Sequence, residues 1–129
     1  MSDGRRSSES WRISLLAALA FITWGLYANW HHGWATRLQV ALTQGFISLV
    51  STYFSAELVI VFVRKFQKSS FSVIFGSLAS YLVIYVLVLG GHFVAGTPEF
   101  WLTVIPGMIT GVFFCYGYSL RIDRKLKGI

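Results

Sequence analysis

Glu57 has the clearest capacity for chemistry in this sequence, because it is a carboxylate within an apolar stretch long enough to cross a membrane. An ionisable side chain inside a bilayer is costly, and it commonly marks a proton path, a ligand site or a buried ion pair. One hypothesis is that Glu57 exchanges protons or binds a cationic substrate. The other is a structural ion pair, since Arg64 lies two helical turns along the same face and Arg12 and Arg121 belong to neighbouring segments. The residue types favour neither hypothesis over the other.

A row of polar side chains precedes Glu57 at the spacing of one helix face. Its members are Gln44, Ser48, Ser51 and Ser55, which recur every three or four residues. Lipid offers no hydrogen-bond partners, so a polar face within a membrane must point into a helix bundle or a wet cavity. The pattern predicts that this face and Glu57 line a transport path. The alternative is a set of interhelical hydrogen bonds worth about 0.6 kcal/mol each.

Three histidines and a carboxylate fall outside the apolar stretches, all on one side of the molecule: His31, His32, His92 and Glu99. Such groups bind zinc, but adjacent histidines diverge on a helix and no metal-binding spacing is present. Cys115 is typical of a small packing residue within an apolar segment. The sequence also contains no Gly-rich phosphate loop and no Ser-His-Asp set. We therefore predict no catalytic, metal or cofactor site and a protein that is not an enzyme.

The elements that must position these residues are membrane helices. Of the 129 residues, 55% are hydrophobic and 12% are charged, whereas soluble domains carry about 25% charged residues. A membrane helix needs roughly 20 apolar residues, and four segments qualify: about 13–30, 38–63, 71–89 and 101–120. Residues 1–10 are predicted to form a disordered tail, 11–120 the transmembrane domain and 121–129 a basic tail, with Gly90 and Gly91 beginning a loop. The predicted fold is an all-α integral membrane bundle of four transmembrane helices.

The basic residues predict how these helices are oriented. All of the 11 Lys and Arg residues except Arg37 fall on one side of the predicted membrane, in the N-terminal tail, the second connection and the C-terminal tail. Basic residues are retained in the cytoplasm, so we expect both termini there, two antiparallel hairpins and a bacterial inner-membrane location. The net charge of +6 then reflects topology, and no nucleic-acid partner is implied.

Small residues predict how the helices pack. Ser72, Gly76 and Ser80 recur at four-residue steps in the third segment, and Thr103, Gly107 and Gly111 do so in the fourth. Small faces allow helices to approach closely in membranes, where hydrophobicity does not drive association. We expect these two faces to pack against each other or against another copy. Pro106 interrupts the fourth segment and frees a backbone carbonyl, and Thr97 is predicted to cap the start of that helix.

Two functions fit these features. The first is a non-enzymatic accessory or scaffold subunit, which packs with itself or with a larger membrane partner through the small-residue faces. The second is a small oligomeric transporter or flippase component that uses the polar face and Glu57. In size, span number and cytoplasmic termini the chain resembles the GtrA-like membrane proteins, a group associated with moving lipid-linked sugars, and Arg64-Lys65-Phe66 is the local likeness. The Asn-Phe-rich motif expected there is absent, and we assign no family.

Overall fold

The computed structural model describes residues 3–129, with side chains from Ser8 onward, so Arg5 and Arg6 of the predicted basic tail lie outside the described side chains. Four helices cover Asp3–Ala28 (α1), Trp34–Lys65 (α2), Ser72–Ala95 (α3) and Phe100–Lys127 (α4). No strand occurs within residues 3–129. All four helices are long and apolar enough to cross a membrane. The predicted all-helical fold with four membrane-length helices is therefore confirmed.

The helices extend beyond the apolar segments that predict them. Residues 3–10, expected to be a disordered tail, continue α1, and most of the basic tail at 121–127 continues α4. The prediction of a loop at Gly90 and Gly91 is wrong, because both lie within α3. At Gly91 the missing side chain lets α2 approach closely, because a Cβ there would lie 3.1 Å from Cδ1 of Ile47. An apolar run indicates which part of a helix lies in lipid. The helix itself continues to the residue at which its terminal backbone groups are capped.

Consecutive helices pack side by side. Trp11 and Tyr53 bring their ring centroids to 5.1 Å between α1 and α2. Ser72 Oγ donates to Asp123 Oδ1 at 2.6 Å between α3 and α4. We call the end that holds residues 29–33 and 96–99 the loop end. The opposite end, which holds residues 66–71 and 120–129, is the terminal end.

Large apolar side chains lie mainly on the outside of the bundle, and small ones lie inside. Leu16, Phe46 and Phe113 are each about two-thirds exposed or more, as expected for helices that face lipid. The largest apolar cluster in the interior lies toward the terminal end and includes Val59, Val63, Cys115, Tyr118 and Ile122. Further apolar residues, among them Val40, Ala41 and Val104, are buried toward the loop end.

Pro106 lies inside α4, and a side chain of α1 replaces the hydrogen-bond donor that the proline lacks. A proline has no N–H, so the carbonyl four residues earlier, that of Leu102, loses its helical donor. The indole Nε1 of Trp24 donates to the Leu102 carbonyl oxygen at 3.0 Å. One residue along, Asn29 Nδ2 donates to Thr103 Oγ1 at 3.2 Å. These two bonds join α1 to α4 at the loop end.

Candidate functional site

A cavity of about 200 Å³ lies between the four helices. The predicted polar face of α2 forms one of its walls: Gln44, Ser48, Ser51 and Ser55 all line it. Three of these four residues are buried in the bundle and Ser51 is half-buried. The three-to-four spacing places them on one side of α2, and that side faces the interior because lipid cannot satisfy their polar atoms. The sequence-predicted polar face is therefore brought together at one site.

Glu57 is not among the residues that line the cavity. It lies two residues beyond Ser55, which is about 200° around an α-helix and thus on another face. Its side chain is half-buried and makes an interaction of its own. Arg121, one of its predicted partners, pairs with Glu9 of α1. Glu57 and the polar face are consequently separate features of α2.

His92 is a cavity residue that the sequence reasoning missed. It is fully buried in α3 and lines the same cavity as the polar face. Its Nδ1 lies 2.9 Å from Thr97 Oγ1. Tyr85, Val88 and His92 lie on one helix face, at steps of three and four residues. This pattern could have predicted His92 as an interior residue, but the predicted loop at Gly90 and Gly91 ended the helix before it.

The end of α3 explains why His92 and Thr97 meet. Gly96 adopts the left-handed conformation, with φ of 66°, which a residue with a Cβ adopts only at a cost. The N–H of Gly96 bonds to the carbonyl of Phe93, and that of Thr97 bonds to the carbonyl of His92. This pair of bonds is the Schellman motif of a helix end. It folds Thr97 back onto His92, so the predicted role of Thr97 as the cap of α4 is wrong.

Two polar atoms of cavity residues have no hydrogen-bond partner among the described residues. They are Oε1 of Gln44 and Nε2 of His92, both buried. A buried polar group without a partner costs about 1–3 kcal/mol relative to one that is bonded. A bound molecule that hydrogen-bonds both atoms would recover this energy. Both atoms belong to residues that line the cavity, which makes these residues the candidates for bonding a polar group there.

The small-residue faces of α3 and α4 close the bundle around this site. A Cβ at Gly76 would lie 2.5 Å from Val63 Cγ2 of α2, and one at Gly111 would lie 2.5 Å from the Tyr85 hydroxyl. Tyr85 also donates to the carbonyl of Gly107. Both faces therefore pack within this chain. The remaining small positions Ser72, Ser80 and Thr103 are buried as well.

The chemistry of the cavity is that of neutral hydrogen bonding. None of its lining residues is Asp, Glu, Lys or Arg, and Cys115 contacts Ser55 with Sγ 3.5 Å from Oγ. Residues 3–129 contain no group of three or more His, Cys, Asp or Glu side chains placed to hold a metal. Outside the cavity, His32 Nε2 lies 3.0 Å from Glu99 Oε1, which gives Glu99 a partner in the loop between α1 and α2.

Comparison of the chain with protein-family models, with curated proteins and with solved structures gives no match.

Proposed function

We propose that this chain is a small, non-enzymatic integral membrane protein that holds a ligand in the cavity between its helices, as a component of a transporter or flippase. The observation that carries the proposal is the polar face of α2 on the wall of a cavity whose lining residues Gln44 and His92 each hold a buried polar atom without a partner among the described residues. A bundle that needed polar residues only for adhesion would pair them across helices. Glu57 plays no part in this ligand site.

The competing hypothesis is an accessory or scaffold subunit that packs with itself or with a larger membrane partner. The small-residue faces on which it was based are occupied inside the chain, since Gly76 packs on Val63 and Gly111 packs on Tyr85. Association would have to use the lipid-facing exterior. We therefore favour the ligand-binding hypothesis, and homo-oligomer formation stays a prediction that is open to test in mild detergent.

We also propose that the terminal end faces the cytoplasm of a bacterial cell, which makes α1–α2 and α3–α4 two antiparallel hairpins with both chain ends inside. The support is the position of the basic residues. Arg64, Lys65 and Lys68 lie at or just beyond the end of α2, and four more basic residues occupy the last turns of α4, whereas Arg37 alone lies near the loop end. Basic residues near helix ends hold those ends in the cytoplasm.

Single cysteines provide the test of the ligand cavity. In a Cys115→Ser background, Ser48→Cys and Val59→Cys place thiols at two buried positions of α2, of which only Ser48 lines the cavity. Phe46→Cys is the fully accessible reference on the lipid-facing side. Methylmercury, a small reagent that crosses membranes and binds thiols, is added to the protein in liposomes, and the modified fraction is read by mass spectrometry.

We expect the thiol at position 48 to react nearly as fast as the one at position 46, and the thiol at position 59 to stay unmodified. The reason is that the reagent fits in the cavity but not in the close-packed cluster around Val59. Equal protection of positions 48 and 59 would show that no accessible cavity exists, and the proposal would fail.

A further inference from the structure

The cavity reaches the surface of the bundle at the seam between α1 and α4. These two helices make the sparsest contacts of any packed pair. The polar bonds that join them lie toward the ends, from Trp24 to Leu102 at the loop end and from Arg121 to Glu9 at the terminal end. Between these bonds, cavity-lining residues come from both helices, and one of them, Thr110, is exposed on the outside. A residue that is both lining and exposed marks an opening.

This opening lies at mid-depth of the membrane-length helices. Thr110 is about 15 Å along α4 from Phe100, and Ala17 of the opposite wall is about 17 Å along α1 from Ala28, at 1.5 Å per residue. The hydrocarbon core of a bilayer is about 30 Å thick. The exposed neighbours Ile109 and Phe113 are apolar. The opening therefore faces hydrocarbon, and a molecule that enters through it comes from the lipid.

The residues that hold the unpartnered polar atoms lie nearer the loop end than the opening does. Ser55 and Cys115 hold α2 and α4 side by side, with 3.5 Å between Oγ and Sγ. Toward the loop end from this contact, Thr110 is about 8 Å along α4 and Gln44 is about 16 Å along α2. Gln44 is therefore about 8 Å nearer the loop end than Thr110, and an entering molecule moves from the opening toward the loop end to reach it.

The hydrogen-bonding capacity of Gln44 and His92 determines which polar group can bind between them. Gln44 Oε1 only accepts hydrogen bonds, whereas His92 Nε2 donates or accepts according to the tautomer that its Nδ1 contact with Thr97 selects. The group must therefore contain a donor, as a hydroxyl or an N–H amide does. Among residues 8–129, no Asp, Glu, Lys or Arg lines the cavity, so a charged head group would be desolvated without compensation.

The volume defines how much of such a molecule enters. About 200 Å³ is less than the roughly 300–1,000 Å³ typical of sites that enclose a whole drug-sized ligand. A polar head and the first part of one chain fit inside, and the rest of the chain stays in the bilayer. We propose that the cavity binds a neutral, single-chain amphiphile with a hydroxyl or amide head, which enters from the lipid between α1 and α4 and bonds Gln44 and His92. This inference rests on the proposed function and assigns its ligand class and route.

A photoreactive long-chain alcohol in phosphatidylcholine liposomes tests the head group. Cross-linking to the protein is competed with the unlabelled alcohol, with its methyl ether, which has no donor, and with a matched trimethylammonium amphiphile. We expect the alcohol to compete about tenfold better than the ether, the ratio that one net hydrogen bond provides, and the cation to compete least. Gln44→Leu should bring the alcohol-to-ether ratio near one, whereas Gln39→Leu, an exposed position on the same helix, should leave it unchanged.

A second pair of variants tests the route. Ala17→Phe places a ring in the seam and should abolish cross-linking, whereas Ala20→Phe, which is exposed outside the cavity, should not. Far-ultraviolet circular dichroism of Gln44→Leu and Ala17→Phe in the same liposomes separates a loss of folding from either result. Equal competition by alcohol and ether in the wild-type protein, or full cross-linking of Ala17→Phe, would overturn the inference.

The two proposals fail in different ways. If methylmercury reaches the thiol at position 48 while the alcohol does not cross-link, the cavity exists but its ligand is not a lipid-phase amphiphile, and the inference alone is overturned. If a membrane-impermeant charged thiol reagent modifies that thiol, the cavity opens to water and the lipid route is wrong. If neither methylmercury nor the alcohol reaches the cavity, both proposals are wrong.

Discussion

Replacing Trp24 with Phe should weaken the attachment of α1 to α4, and the size of the effect should depend on Pro106. The indole Nε1 donates to the Leu102 carbonyl oxygen at 3.0 Å. That carbonyl has no helical donor, because the residue four positions later in α4 is a proline. Phenylalanine keeps an aromatic ring beside Tyr27, the neighbour of Trp24 in the structure, but cannot donate a hydrogen bond.

The expected magnitude follows from the position of the bond. Interhelical hydrogen bonds in membrane proteins contribute about 0.6 kcal/mol on average and up to about 1.7 kcal/mol. We expect the upper part of that range, since the Leu102 carbonyl would otherwise lie unpaired in an apolar surrounding where each such group is costly. Trp24→Phe should therefore lower the free energy of unfolding by about 1–1.7 kcal/mol.

Pro106→Ala provides the matched control through a double-mutant cycle. Alanine restores an N–H at position 106, which bonds to the Leu102 carbonyl within α4, so the carbonyl no longer depends on Trp24. In the Pro106→Ala background, Trp24→Phe should cost less than half of what it costs in the wild-type protein. Trp101→Phe, at an exposed residue near the same end, measures the effect of losing an indole without this bond and should be close to neutral.

The assay is unfolding in mixed micelles titrated with sodium dodecyl sulfate, followed by far-ultraviolet circular dichroism. Additivity of the two substitutions would refute the reasoning, because independent sites add and coupled ones do not. The same conclusion would follow if Trp24→Phe and Trp101→Phe had equal effects. Either result would mean that the Trp24 indole does not replace the donor that the Leu102 carbonyl loses to Pro106.

Two further predictions concern the packing of α3, and the same assay measures both. Gly76→Ala should destabilise the bundle by about 1–3 kcal/mol through overpacking, because its Cβ would lie 2.5 Å from a buried valine of α2. Gly90→Ala, with open space around its Cβ, should be neutral or stabilising by up to about 1 kcal/mol, and equal effects would contradict this packing. Ser72→Ala removes the 2.6 Å bond to Asp123 and should cost about 1.5 kcal/mol or more. Ser70→Ala, at an exposed position, should cost little, and equal losses would show that the Asp123 contact contributes nothing.

The helices and the polar face could be predicted from the sequence because each depends on a short-range pattern. Apolar run length predicts a membrane helix, and the spacing of Gln44, Ser48 and Ser51 predicts one face of α2. The inward direction of that face can also be predicted, because lipid offers its polar atoms no hydrogen-bond partners. These predictions need no knowledge of which helices are neighbours.

His92 and Asp123 could not be predicted because their roles depend on where helices end. The apolar segments stop before both residues, so the sequence assigned His92 to a loop and Asp123 to a tail. In the structure α3 continues to Ala95, where Gly96 ends it, and α4 continues to Lys127. Helix ends depend on caps and tertiary partners. Thr97 meets His92 because Gly96 ends α3, and the Ser72 that donates to Asp123 lies 51 residues away in the sequence.

Two groups of polar residues in the bundle differ in how they are bonded, and this difference bears on function. One set joins helices through well-formed bonds: Asn29 to Thr103 at 3.2 Å, Ser72 to Asp123 at 2.6 Å, and Tyr81 to the carbonyl of Met108 at 3.1 Å.

The other set, the polar face of α2, makes weak contacts or leaves atoms unpaired. Ser51 reaches only the carbonyl of Ser48 in its own helix, at 3.5 Å, and Ser55 reaches the Cys115 sulfur at 3.5 Å, while Gln44 Oε1 has no partner among the described residues. Interhelical adhesion accounts for the first set and not for the second. A polar face that is buried yet poorly bonded costs stability in the empty protein, and a ligand that bonds to it would recover that cost.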